Sequence, residues 1–217
     1  MSRLALFTLS VMCSLICYVA SSVARELSVL TVSNAAELQR VFQRPVDSVE
    51  VRLSAGEYHL TPQLIIDSSC GNCENPQTPV QATAGLHLRG NSIRLIGPPD
   101  RSAVIVTHAG YGLFFERCNN GLVESLTITG GERDTNGNAT DAAIVVKNSR
   151  VVIRNNLITD NIGDSLRVRK TIVGIMGICG RENSRLIISG NRIIRNSWDG
   201  IALYRQAEAI IEDNVVD

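Results

Sequence analysis

The sequence repeats a short pattern of apolar residues around an asparagine. Three segments align without gaps, and each has an apolar residue, two polar residues, the asparagine, any residue and a second apolar residue. The asparagines are Asn156, Asn191 and Asn214, spaced by 35 and 23 residues. Periods of roughly 20–50 residues are typical of solenoids, in which each unit buries its apolar face only by stacking on its neighbours. The repeat therefore predicts a solenoid, and it leaves little room for other folds.

A second register lies between these segments. Its members begin at Gly112, Ala143, Gly174 and Gly200, at spacings of 31, 31 and 26 residues. The runs are short, rich in β-branched residues and punctuated by Gly, Asn and Asp, which indicates strands rather than helices. Asparagine suits the bends between such strands because it tolerates the left-handed conformation and hydrogen-bonds locally. We expect the stacked side chains of Asn156, Asn191 and Asn214 to form a structural ladder along the solenoid axis.

The composition excludes two classes of protein. With 44% hydrophobic and 19% charged residues, the chain is not of the disordered type. Its 21 basic residues are matched by 21 acidic ones, so it lacks the broad positive surface of a nucleic-acid-binding protein. We therefore expect no nucleic-acid partner.

Residues 1–24 have the pattern of a secretory signal peptide. Arg3 precedes an apolar run from Leu4 to Ala20, and Ser22-Val23-Ala24 offers the small residues that a signal peptidase reads. The run of about 17 residues is also at the lower limit for spanning a membrane, so an uncleaved anchor is the alternative. Cleavage would leave residues 25–217 as a secreted or periplasmic protein without a membrane anchor.

Four cysteines remain after this segment. An even number in an exported protein predicts disulfides. Cys70 and Cys73 form a Cys-x-x-Cys motif, for which a disulfide within a loop is favoured over a redox pair or half of a zinc site, because the sequence has no second such motif and three scattered histidines. Cys118 and Cys179 fall near strand ends and are interpreted as small buried apolar residues.

The N-terminal section adds a second kind of signal. Residues 33–43 predict a short helix, with Ser33 or Asn34 as its N-cap. A strand and turn of the form Leu-x-x-Gly-x-Tyr follow, from Leu53 to Tyr58. Together with the asparagine ladder and the Asp199-Gly200-Ile201 strand entry, these segments resemble the right-handed parallel β-helix of the pectin-lyase-like superfamily.

This resemblance implies an all-β fold, a right-handed parallel β-helix solenoid with a short N-terminal capping helix. It covers residues 25–217, and the clearest repeats lie at 92–217. The sequence ends at Asp217 within an asparagine-bearing repeat. Because a final coil with open strand edges needs a cover, we expect the solenoid to continue in a longer protein, or a partner to cap it.

The resemblance also implies an exported carbohydrate-active or carbohydrate-binding protein. In lyases and hydrolases of this superfamily the glycan usually lies along one sheet, between the loops that enter it. Here that sheet is expected to carry the second register, with Phe114, Val145, Met176 and Ala202 in one outward row. The next outward row would hold Glu116, Lys147, Ile178 and Tyr204.

The predicted site is a cleft for an acidic polysaccharide, with lyase- or epimerase-like chemistry. Elimination beside a carboxylate requires that its charge be neutralised and that a base have a suitably lowered pKa. The catalytic candidates are Lys147 as the base, with Arg167 and Arg169. The substrate-binding candidates are Glu116, Lys170, Trp198, Asp199, Tyr204 and Arg205. Asp134, Asp141 and Asp164 offer oxygen ligands for Ca²⁺.

A simpler interpretation stands beside this one. Glu116 and Lys147 occupy equivalent positions on adjacent coils, so a cross-strand ion pair accounts for both. The sequence also lacks the motif series of the polygalacturonases, the pectate lyases and the alginate epimerases. A non-catalytic β-helix scaffold, or an adhesion or glycan-binding module, is therefore the alternative function.

Overall fold

A computed structural model describes residues 26–217, and the side chains of Arg167 and Thr171 lie outside that description. In this range the chain winds through three sheets in turn, and the four successive coils of residues 93–203 each contribute one strand to each sheet. The predicted all-β class and parallel β-helix architecture are confirmed. The predicted signal peptide at residues 1–24 falls outside the described residues.

Strands from successive coils lie side by side, and all pair in parallel except one. Sheet A contains β1 (Ser28–Val32), β2 (Val49–Leu53), β6 (Ile93–Ile96), β9 (Gly121–Glu124), β12 (Arg150–Arg154), β15 (Arg185–Ser189) and β18 (Glu208–Glu212). Sheet B contains β3 (Gly56–His59), β7 (Ala103–Val106), β10 (Thr127–Thr129), β13 (Leu157–Thr159), β16 (Arg192–Ile194) and β19 (Val215–Val216). Sheet C contains β4 (Gln63–Asp67), β5 (Val80–Arg89), β8 (Tyr111–Glu116), β11 (Ala142–Lys147), β14 (Met176–Arg181) and β17 (Ile201–Leu203). The exception is β4, which runs antiparallel to β5.

The interior is filled by columns of aliphatic side chains. Val123, Ile153 and Ile188 are direct partners on adjacent strands of sheet A, and all three are fully buried. Alternate residues of each strand face inward, so every coil adds one member to each column. Full burial of one such side chain stabilises the fold by about 1.5–3 kcal/mol. The period-2 pattern of the sequence thus becomes the core of the solenoid.

The predicted asparagine ladder is present at the bend between sheets A and B. The side-chain amide of Asn156 donates to the Oδ1 of Asn191 at 3.0 Å, and that of Asn191 donates to the Oδ1 of Asn214 at 2.9 Å. At the N-terminal end of the ladder, the Oδ1 of Asn156 accepts a hydrogen bond from the backbone N–H of Leu126 at 3.0 Å. Asn156 and Asn191 are almost completely buried, so each ladder bond satisfies a polar group that water cannot reach.

The ladder asparagines do not themselves adopt the left-handed conformation, so that part of the prediction is wrong. Positive φ occurs one residue earlier, at Asn155 (57°), Gly190 (64°) and Asp213 (54°). The preceding residue makes the bend, which leaves the ladder side chain free to point inward and pair along the axis.

A second ladder, which the sequence interpretation missed, lies at the far end of sheet B. The amide of Asn161 donates to the Oδ1 of Asn196 at 2.9 Å, and the backbone N–H of Gly131 donates to the Oδ1 of Asn161 at 3.0 Å. The signal was available, because Asn161 and Asn196 share the 35-residue spacing of the first ladder.

Two short helices interrupt the described coils. Helix α1 (Ala35–Val41) begins at the N-cap Asn34, whose Oδ1 accepts the N–H of Glu37 at 2.9 Å, and its Leu38 is buried in the core. Its role as a cap of the coil stays a prediction. Helix α2 (Ser165–Thr171) has seven residues, which is about two helical turns. Within residues 26–217, neither helix has the length and apolar character needed to cross a membrane.

Candidate functional site

The residues of the predicted cleft lie on the outer face of sheet C. The pairing of β14 with β11 differs from the expected register. Lys147 is flanked by Glu116 and Arg181, whereas Ile178 pairs with the inward-facing Ile144. The prediction that Ile178 faces outward is therefore wrong by a shift of three residues along β14. In the run from Gly174 to Gly180 a glycine recurs at every third residue, so a shift of three residues places similar residues at the same positions, and the strand pairing decides between the two registers.

This outer face is not open to solvent. Its outward residues form a second apolar core, which is separate from the interior of the solenoid. The members include Ala84, Tyr111, Phe114, Ala142, Val145, Met176, Cys179 and Ala202. Phe114 is 1% exposed and Val145 and Cys179 are 0% exposed, so an extended glycan has no access to them.

The cover is the last residue of β4 together with its connection to β5, residues 67–79, which we call the strap. Cys70 and Cys73 form a disulfide within it, as the sequence predicts. The strap reaches across the sheet, and Arg205, which follows β17, donates hydrogen bonds to the backbone oxygens of Gly71 and Cys73. Arg205 therefore holds the strap rather than lining an open cleft.

Asp67, the first residue of the strap, is the centre of a buried charge network. Its carboxylate lies 2.5 Å from the Nζ of Lys147, accepts a hydrogen bond from the Tyr111 hydroxyl at 3.2 Å and forms an ion pair with Arg181. The side chains of Asp67 and Arg181 are 0% exposed and that of Lys147 is 3% exposed. Burial lowers the pKa of Lys147, and it lowers the pKa of Arg181 to about 10.

Glu116 and His87 form the rim of this network. The Nε2 of His87 lies 3.0 Å from one oxygen of Glu116, and the Nζ of Lys147 lies 3.6 Å from the other. The hydrogen bond from His87 lowers the pKa of Glu116, and the positive charge of Lys147 acts in the same direction. Lys147 is predicted to be the catalytic base and Glu116 to bind substrate. In the structure the two residues form a cross-strand ion pair, as the simpler interpretation expects.

Two of the three predicted Ca²⁺ ligands lie together, in a setting that already contains a cation. Asp141 forms a buried ion pair with Arg133, and its Oδ2 accepts the backbone N–H of Asp134 at 2.7 Å. Asp134 in turn accepts two hydrogen bonds from Thr83. Burial, together with the carboxylate of Asp134, raises the pKa of Asp141 to about 7.

The third predicted ligand, Asp164, is exposed and accepts the N–H of Leu166 at 2.9 Å. In residues 26–217, no three His, Cys, Asp or Glu side chains are arranged to hold a metal ion.

The remaining predicted residues are scattered over the C-terminal coils. Trp198 is 47% exposed and Asp199 is exposed beside it, while the hydroxyl of Tyr204 lies 3.9 Å from the sulfur of Met176. Arg169 and Lys170 are exposed on α2. The side chain of Arg167 lies outside the described structure. These residues and Lys147 do not form one site.

An open groove occurs at a different place, where sheet B turns toward sheet C. It has a volume of about 700 Å³. Three carboxylates, one histidine, three glycines and two aliphatic residues line it: Glu132, Asp160, Asp164, His108, Gly130, Gly131, Gly163, Ile162 and Leu166. Asp160 is held by a two-point ion pair with Arg195, at 2.7 and 2.8 Å, which lowers its pKa.

A chain of side chains on sheet B leads into this groove. The Nδ1 of His59 lies 3.2 Å from the Nε2 of His108, and the Nε2 of His59 lies 3.1 Å from Glu57. The Nδ1 of His108 faces Glu132 at 3.7 Å. The sequence interpretation missed the groove because it followed sheet C. The available signal was that His108, Glu132 and Asp160 each come shortly after a strand of sheet B.

Comparison with known proteins agrees with this architecture. Residues 65–217 match the family model described as the right handed beta helix region. The chain belongs to this right-handed β-helix family. No curated protein and no solved structure matches the chain. The β-helix fold family includes carbohydrate-active enzymes, and the same scaffold carries many different activities, so the function has to be argued from the site.

Proposed function

We propose that this chain is the glycan-binding region of an exported β-helix protein, and that the groove beside α2 is its binding site. The observation that carries the proposal is the open groove of about 700 Å³ with carboxylates on its walls. Its volume lies within the range of roughly 300–1,000 Å³ that is typical of ligand sites.

The groove has the chemistry that recognises hydroxyl groups. Carboxylate oxygens accept hydrogen bonds from sugar hydroxyls, and such bonds to a charged group contribute about 1.5–3 kcal/mol each. Gly130, Gly131 and Gly163 carry no side chains, so a sugar ring can approach the backbone closely. Ile162 and Leu166, which are both largely exposed, offer apolar contact for the faces of the ring.

Acidic sugars are accommodated by α2. Arg169 and Lys170 follow Leu166, which lines the groove, by three and four residues on the helix. Residues at these spacings are neighbours on one helix face. They provide positive charge next to a groove whose own walls are acidic, so the carboxylates of a glycan would be oriented toward α2.

Binding is favoured over elimination because the expected base is inaccessible. The side chain of Lys147 is 3% exposed beneath the strap and is ion-paired with Asp67. A base must come within hydrogen-bond reach of the proton that it removes. The scaffold or glycan-binding alternative thus agrees better with the geometry than a lyase or epimerase at sheet C.

The test is a calorimetric titration of the protein with pectate, alginate, a glycosaminoglycan and a neutral glucan, with and without Ca²⁺. Ultraviolet absorbance of new carbon–carbon double bonds is recorded in parallel. We expect saturable binding of at least one glycan without new double bonds. The variant Glu132→Gln should weaken binding, whereas Glu212→Gln, an exposed carboxylate on sheet A, should not.

Absence of binding to every glycan, or equal binding by both variants, would rule out the groove. Unsaturated products that disappear in Lys147→Ala would instead establish a lyase under the strap.

A further inference from the structure

Three of the four cysteines in residues 26–217 lie in or against the apolar core between the strap and sheet C. Cys70 and Cys179 are both 0% exposed members of this core, and the half-buried Cys73 packs against it. Cys70 and Cys73 form the disulfide, whereas Cys179 is a free thiol. The fourth cysteine, Cys118, is free and buried in the interior core on the other side of the sheets.

The free thiol and the disulfide are both close to the same short segment, residues 138–140. Cys179 belongs to the same buried apolar cluster as Ala139, and Thr140 lowers the pKa of its thiol against the larger effect of burial. A Cβ atom on Gly71, the residue after Cys70, would come within 2.9 Å of the Thr140 methyl group. The sulfur of Cys70 lies 3.6 Å from the backbone oxygen of Asn138. The strap disulfide and β14 are therefore packed against one another through this segment.

We propose that Cys179 is an exchange partner of the strap disulfide, and that their reaction ties the strap covalently to β14. The thiolate of Cys179 attacks the sulfur of Cys70, forming the Cys70–Cys179 bond and breaking the Cys70–Cys73 bond. Cys73 leaves as a thiolate and takes up the proton that Cys179 released. The number of disulfides is unchanged, so the step needs no external oxidant or reductant.

Burial determines when this exchange occurs. It raises the pKa of the Cys179 thiol, so the nucleophilic thiolate is scarce while the strap is seated. Partial opening of the strap admits water to the thiol and permits attack while Cys70 stays at the apolar core. Cys73 is the suitable leaving group because it already reaches the surface. Exchange thus replaces a disulfide that closes a loop of four residues with one that closes a loop from residue 70 to residue 179. The new bond would hold the strap on sheet C even when its ion pairs are broken.

Peptide mapping tests the proposal. The purified, oxidised protein is incubated at mildly alkaline pH in urea below the unfolding transition, quenched with acid, alkylated with N-ethylmaleimide and digested with trypsin without reduction. We expect peptide 171–181, which contains Cys179, to become disulfide-linked to peptide 53–89, with one N-ethylmaleimide group on Cys73. The linked fraction should rise with urea and with pH.

Matched variants separate exchange from random scrambling. Cys179→Ser should abolish both the linked peptide and the alkylation of Cys73, whereas Cys118→Ser should leave both unchanged. Alkylation of Cys179 with the Cys70–Cys73 bond intact would overturn the proposal. So would a Cys179 that stays unlinked and unmodified up to the unfolding transition, or a linked fraction that depends on Cys118.

Discussion

The ammonium group of Lys147 lies 2.5 Å from the carboxylate of Asp67, although 80 residues separate them in sequence. The same carboxylate is the partner of Arg181, so two buried cations share one fully buried anion. Lys147 also lies 3.6 Å from Glu116 at the rim, but this longer ion pair is weaker than its direct contact with Asp67. The position of the strap over sheet C depends on this arrangement.

Replacing Asp67 with alanine should therefore strongly destabilise the fold. Removing one partner of a buried ion pair leaves an uncompensated charge, which costs about 3–5 kcal/mol. Urea unfolding followed by circular dichroism measures the loss. The control is Arg154→Ala, which removes an exposed ion pair with Glu124 and should cost about 0.2–1 kcal/mol. Equal effects of the two substitutions would contradict the buried network.

Asn191→Ala should lower the free energy of unfolding by roughly 1–3 kcal/mol, because it leaves buried partners above and below without hydrogen bonds. Asn191 accepts from Asn156 and donates to both Asn214 and the backbone oxygen of Ile153. Asn119→Ala, at an exposed position, is the control for the loss of an amide side chain. A near-zero effect at Asn191 would show that the ladder does not support the bend.

Gly112→Ala should be destabilising, whereas Gly137→Ala should be nearly neutral. A Cβ atom on Gly112 would come within 2.4 Å of the backbone oxygen of Ala143 in the next coil, and one on Gly137 would have no neighbour within 4 Å. Overpacking of this kind costs typically about 1–3 kcal/mol. Thermal unfolding of the two variants makes the comparison, and a Gly112→Ala protein as stable as wild type would be inconsistent with the observed coil spacing.

The raised pKa of Asp141 predicts a pH dependence of stability. A carboxyl group whose pKa is about 7 in the folded state and about 4 when unfolded takes up a proton on folding between these values. Its contribution to stability is therefore complete at low pH and is lost as the pH rises toward 7. Carboxylates whose pKa is lowered in the folded state, such as Glu116, make the opposite contribution, because they destabilise the fold as the pH falls. Their contribution changes only near and below their ordinary pKa, which lies below this pH range.

The measurement is the free energy of unfolding of wild type and Asp141→Asn at several pH values. On going from about pH 7 to about pH 5, wild type should gain about 1–2 kcal/mol relative to the variant. A constant difference between the two proteins across this range would mean that Asp141 is already ionised when buried.

The paired variant Arg169→Ala/Lys170→Ala should lower the affinity for acidic glycans by about 2–10-fold and leave neutral glycans unaffected, because exposed ion pairs contribute up to about 1 kcal/mol each. Added salt should remove the difference, since it screens exposed charges. Arg150→Ala, on the outer face of sheet A, is the control. An equal loss for neutral glycans would indicate a structural role for α2 instead.

The repeating parts of the fold could be predicted from the sequence, because they are local or periodic signals. Asn156, Asn191 and Asn214 recur at fixed positions in successive coils, and Asn34 precedes a short helix that it caps. A spacing of three residues makes the Cys70–Cys73 disulfide equally local. These features need no knowledge of distant contacts.

The strap could not be predicted, because nothing in its own sequence indicates what it covers. Asp67 finds Lys147 and Arg181 through the fold, and residues 67–79 lack the period of the coils. Without the strap, the charged positions of sheet C looked like an open cleft. The sealed surface also explains why the outward row of β14 could be misassigned, since Cys179 is as buried as the inward-facing Ile178.

The strap also changes how the solenoid is expected to unfold. Coils that touch only adjacent coils are stabilised by nearest-neighbour terms, so such an array frays from its ends. Asp67 bypasses this order by contacting β8, β11 and β14, and Arg205 adds a contact from beyond β17. One segment thus links the first coils of sheet C to the last. Loss of a terminal coil then breaks contacts throughout the sheet, which makes unfolding cooperative over the length of the strap.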